Sequence, residues 1–61
     1  MITINYYIED LVTGFVVMVD GTMEQFSLGD PKAFGLYELA LDHIETLPAG
    51  QYGIFSRIVK S

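Results

Sequence analysis

No cysteine occurs in the chain, and no tryptophan. Without cysteine there is no disulfide staple, no thiolate nucleophile and no cysteine-based zinc site, the devices on which many very short domains depend. Its absence also fits a reducing compartment, and a cytoplasmic location is expected. Positive charge is nearly as scarce, with three Lys and Arg against eight Asp and Glu and a formal net charge of −5. Glu9, Asp10, Asp20, Glu24 and Asp30 all precede the first base, Lys32. Binding to nucleic acid or to an anionic membrane draws on clustered Lys and Arg, so neither is expected. His43 is the sole histidine, and Ser27, Ser56 and Ser61 stand in no nucleophile-elbow pattern. The glycines form neither a G-x-G-x-x-G fingerprint nor a P-loop. Residues 20–24, Asp-Gly-Thr-Met-Glu, are too sparse in oxygen ligands for a calcium loop. No enzyme activity, metal or cofactor is therefore expected. The longest apolar run, Phe15 to Val19, is far shorter than the ~20 residues that span a membrane. No basic region followed by an apolar stretch opens the chain, so no secretory leader is expected.

What is present is apolar: 51% of the 61 residues are hydrophobic. This implies one folded domain over residues 1–61. A chain this short buries only ~60% of its unfolded surface. Stability must then come from a tightly packed core or from burial against another chain.

Hydrophobic periodicity predicts an α+β domain of order βββαβ, one helix on a three- to four-stranded sheet. Ile2, Ile4, Tyr6 and Ile8 alternate with polar and aromatic residues over 2–9, a strand pattern. Turn formers fill 10–14. Residues 15–19 are apolar throughout, as in a strand covered on both faces. Asp20-Gly21 predicts a two-residue hairpin into a third strand at 22–27. Asp30 as cap and Pro31 at the first helical position predict a helix that ends by Leu47, before Pro48. Its core-facing stripe would be Ala33, Phe34, Leu36, Tyr37, Ala40, Leu41, Ile44 and Leu47. Residues 51–60 return to strand character, and a single helical crossover would set this last strand parallel to the first and third.

Two surfaces depart from what stability alone would select. Glu38, Asp42 and Glu45 share one helix stripe; like charges at i, i+4 repel, and acids near a helix C-terminus oppose its dipole. This stripe is a candidate docking surface for a basic partner. One helix covers only one sheet face, so Tyr7, Val16, Met18 and Phe55 are expected on an open apolar face used for a partner or for a homodimer. In size, acidity and missing chemistry the chain resembles the small acidic inhibitor proteins that phages and mobile elements make against host machinery. Together these features favour a protein-interaction module that inhibits or modulates a partner. A structural homo-oligomer or accessory subunit is the first alternative, and a nucleic-acid mimic that occupies a DNA- or RNA-binding protein is the second.

Overall fold

The alternating residues at the N-terminus form β1 (Ile2–Asp10), and the alternating residues at the C-terminus form β4 (Tyr52–Lys60). The two pair antiparallel along their whole length, with Ile4 opposite Ile58, Tyr7 opposite Phe55 and Ile8 opposite Ile54. Between them come the short strands β2 (Val16–Val17) and β3 (Met23–Glu24), a 3-10 turn (Phe26–Leu28) and one helix, α1 (Tyr37–Ile44). The computed structural model describes residues 1–60, and Ser61 lies outside the described residues. The result is a small α+β fold with one helix and a four-stranded antiparallel sheet, order β3-β2-β1-β4. The expected element order holds in outline only, because the 3-10 turn replaces much of the third strand.

Both hairpin loops are organised by an aspartate. Asp10 accepts the Val12 N–H on its Oδ1 at 2.8 Å, and Gly14 follows in the left-handed region at φ 78°. In the second loop Gly21 has φ 88°, and its N–H donates to the Met18 carbonyl while the Met18 N–H donates to Thr22. The loop is thus residues 19–21 rather than the expected Asp20-Gly21 pair, a glycine bulge after a tight turn. A Cβ at Gly21 meets no neighbour, so Gly21→Ala tests backbone conformation alone. It is expected to cost about 1–2 kcal/mol, read from urea unfolding; an unchanged midpoint would contradict the assigned turn.

Asp20 Oδ1 also accepts the Thr22 hydroxyl at 2.6 Å and the Thr22 N–H at 3.0 Å. These bonds, the hydroxyl first, hold the Asp20 carboxyl below the usual aspartate range. A depressed carboxylate pKa adds stability above the unfolded value, and this is lost as pH falls through the folded value. Thr22→Val removes the hydroxyl bond. The variant should therefore be less stable than the parent near neutrality, with the difference shrinking below pH ~4. Carbon-detected NMR titration should show the Asp20 midpoint rising in Thr22→Val; an unmoved midpoint would exclude the hydroxyl as cause.

The helix is shorter than the sequence pattern implies. Residues 30–34 are extended because strands take up their backbone groups: Val19 N–H donates to Asp30, Lys32 N–H to Val17, and Tyr6 and Phe34 exchange two bonds of 2.8 Å. Asp30 and Pro31 therefore start no helix. Leu36 is the N-cap, and no side chain caps the first turn. The chain has already been led back along β1 before α1 begins, so β4 enters from the opposite end and runs antiparallel to β1, not parallel as expected. At the other end the Thr46 N–H and hydroxyl both donate to the His43 carbonyl, closing the helix before Pro48.

The sheet is packed on both faces. On the helix side, Ile8, Val17, Phe34 and Ala40 form one buried cluster, joined by half-buried Ile44, Leu47, Tyr52 and Ile54. On the other side, Tyr7, Val16 and Met18 form a second, joined by Phe26 and Phe55. This corrects the expectation of an open face. Tyr7 is 8% exposed, Val16 2% and Met18 3%, and Phe55 is half-buried. The cause is the 3-10 turn, which swings Phe26 edge-on to Tyr7 at 5.1 Å and tilted against Phe55 at 5.9 Å. Tyr7 and Phe55 stack at 5.3 Å, and the Arg57 guanidinium lies 4.8 Å above the Phe26 ring.

Candidate functional site

Helix α1 rests on the sheet through Ala40, which is fully buried, and through half-buried His43 and Ile44. At ~100° per residue, the direction opposite Ala40 falls between Glu38 and Asp42, and Glu45 lies close to it. All three are exposed. The structure therefore brings the three sequence-predicted carboxylates together on one outward ridge. The helix contributes no Lys or Arg to offset them. Exposed apolar residues border this ridge on both sides. Leu39 lies along one flank and Leu41 along the other, both exposed. Leu36, Tyr37 and Leu41 were expected to face the core. Leu41 does not, because it lies ~100° from Ala40 at the rim; Tyr37 packs edge-on against Tyr6 with half of its surface exposed, and Leu36 is exposed in extended backbone ahead of the helix.

The second predicted set, Tyr7, Val16, Met18 and Phe55, is also brought together, but as the buried cluster beneath Phe26. It is part of the core: Tyr7, Val16 and Met18 are buried, and Phe55 alone is half-buried.

A different apolar surface escaped the sequence reading. Ile2, Ile4 and Ile58 lie on the helix side of the β1–β4 ribbon, in register with Ile8 and Ile54. They are nevertheless 65%, 44% and 63% exposed. The reason is length: α1 spans ~12 Å at 1.5 Å per residue, whereas a nine-residue strand runs ~30 Å. Cover ends where the Tyr37 ring meets Tyr6 edge-on at 5.8 Å. A comparison of helix and strand lengths would have been the signal.

Two shallow recesses also lie on the surface. Asp20, Thr22, Glu24 and Asp30 line one beside Met18. Lys32, Phe34, Asp42 and His43 line the other, where the His43 ring tilts against Phe34 at 5.3 Å. Among the described residues no three His, Cys, Asp or Glu side chains group as metal ligands. No helix is long and apolar enough to cross a membrane. No family model, curated protein or solved structure matches the chain.

Proposed function

We propose that this chain is a protein-binding module without chemistry of its own, which holds a basic segment of a partner protein on the outer ridge of α1 and thereby inhibits or modulates that partner. One observation carries this reading: Glu38, Asp42 and Glu45 project together between exposed leucines. The arrangement is mildly unfavourable for the helix itself, since Glu38 and Asp42 repel at i, i+4 and the later acids oppose the helix dipole. A row of carboxylates ~10 Å long, at 1.5 Å rise per residue, matches two or three Lys or Arg side chains of a partner, and the flanking leucines supply apolar area beside them.

The test separates binding from folding. Replacing Glu38, Asp42 and Glu45 together by glutamine keeps size and polarity and removes the charge. Partner capture should fall sharply for this variant, and capture by the parent should weaken as salt rises, because exposed charges are screened. Stability should be unchanged or higher by ~0.2–0.5 kcal/mol for the relieved i, i+4 pair. A captured partner whose affinity at low salt is the same for both proteins would sink the reading.

A further inference from the structure

The outer edge of β4 is the longest strand edge left without a strand partner among the described residues. Tyr52–Lys60 has β1 on one side throughout and stands last in the sheet order. Which of its backbone groups face outward follows from β1. Tyr6 donates its N–H to Phe34 and accepts the Phe34 N–H, so both of its backbone groups turn away from β4. Ser56, directly opposite Tyr6, is then in a non-hydrogen-bonded pair, and its own N–H and C=O point to the open edge. Asp10 agrees, since its N–H donates to Phe15 on the far side. By alternation Tyr52, Ile54, Ile58 and Lys60 also present their backbone groups outward. No proline or bulge interrupts this edge, although natural edges are commonly blunted by such devices.

We propose that a second copy of this chain pairs with this edge, β4 against β4, antiparallel about a two-fold axis at Ser56. The occupant is inferred from the strand's own pattern, which is self-complementary about that residue. In this register Ile54 stands opposite Ile58 of the second copy, Phe55 opposite Arg57, Tyr52 opposite Lys60, and Gly53 opposite Val59. Apolar meets apolar, each base meets an aromatic ring, and no like charges face one another. Such cross-strand pairs are the unit of sheet stabilisation. Centring the pair on Arg57 would set two guanidinium groups against each other, and centring it nearer either end would leave part of the strand unpaired.

The same register accounts for the exposed isoleucines. Ile4 neighbours Ile58 within one copy, and Ile54 neighbours Ile8. Pairing Ile58 with Ile54 of the second copy joins these into one continuous row, from the uncovered end of one ribbon to the helix-covered core of the other. The assembly closes after two copies, as an isologous contact must. This interface uses residues distinct from the α1 ridge and does not depend on it.

Sedimentation equilibrium of the full chain at ~10–100 μM, a range that populates dimers of micromolar Kd, should give the mass of two chains. Ser56→Pro removes an outward N–H and leaves the β1–β4 bonds in place, which is where an edge strand tolerates proline. Ile58→Lys alters a largely exposed side chain and puts a charge opposite Ile54. Each change occurs twice in the dimer, and each should weaken self-association by ~10–100-fold with the far-ultraviolet spectrum retained. The amides of Ile54, Ser56 and Ile58 should exchange more slowly in the parent than in the monomeric variant. If Ser56→Pro does not fold, Ile58→Lys decides alone. A parent of single-chain mass at ~100 μM, or an Ile58→Lys protein that dimerises as tightly as the parent, would overturn the proposal. The α1 triple-glutamine variant should dimerise normally, so loss of partner capture and loss of dimer remain separate results.

Discussion

Ile8→Ala is expected to lower stability by about 2–5 kcal/mol, the range for an aliphatic side chain deleted from a well-packed core. Ile8 has no exposed surface and lies at the centre of the cluster formed with Val17, Phe34 and Ala40. It is also paired with Ile54 across the β1–β4 ribbon. At ~0.05–0.15 kcal/mol per residue a domain of this length has only ~3–9 kcal/mol to lose. The variant should therefore melt at least ~8 °C lower, since each kcal/mol shifts the midpoint of so small a domain by ~4–8 °C. Collapse of the site is limited because strands fix the backbone on both sides of Ile8. Ile8→Val removes one methylene and should cost ~0.5–1.5 kcal/mol. Thermal and urea melts of the three proteins test the order. An Ile8→Ala midpoint within a degree or two of the parent would mean that the helix-side cluster does not hold the fold together.

The long strands were legible because their signal is local. Alternation from Ile2 to Ile8 and from Tyr52 onward needs no knowledge of neighbours, and both segments are strands as expected. Of the apolar run 15–19, expected to be a strand covered on both faces, Val16, Val17 and Met18 are buried, whereas Phe15 and Val19 are exposed and the strand is limited to Val16–Val17. Asp30-Pro31 failed because its helix-start chemistry competes with backbone hydrogen bonding that only the tertiary structure supplies. Val17, Val19 and Tyr6 engage the backbone of residues 30–34, and Phe34 is drawn into the core. A capping sequence is a weak prior against several strand hydrogen bonds. The direction of β4 failed with it, because the orientation depended on a helix that begins seven residues later, at Tyr37.

The acidic ridge was legible for a similar reason. Helical periodicity alone places Glu38, Asp42 and Glu45 on one stripe, and the shortened helix still carries Glu38 and Asp42, with Glu45 as its C-cap. The open-face reading failed because it treated 22–27 as strand throughout. Phe26 belongs to a turn instead, and one turn of chain covers what a second helix would otherwise have to cover. The apolar surplus noted in the composition is therefore divided between two inner faces, and exposed apolar residues remain at the far end of the β1–β4 ribbon, along the helix and in the loops.

Phe26→Ala should convert the protein into the open-faced form that its sequence suggests. Phe26 is the one residue of the 3-10 turn that packs against the second cluster, touching Tyr7, Phe55 and the Arg57 guanidinium. The turn has no buried residue of its own and no side-chain cap at Gln25, so little else holds it down. Fully buried phenylalanines cost ~3–5 kcal/mol when cut to alanine; Phe26 is half-buried, so a value near the lower end is expected, with a fall in melting temperature of ~10–20 °C. Part of that cost is the exposure of Tyr7, Val16 and Met18, which Phe26 covers together with Phe55. Their exposure should bind a hydrophobic dye and promote association beyond the β4-paired dimer. Phe26→Leu keeps apolar area but loses the edge-on ring and the seat for Arg57, and should recover about half of the loss. Dye binding and light scattering of folded protein distinguish this from simple unfolding. If Phe26→Ala keeps parental stability and binds no dye, the 3-10 turn is not the lid of the second core, and the burial of Tyr7, Val16 and Met18 needs another cause.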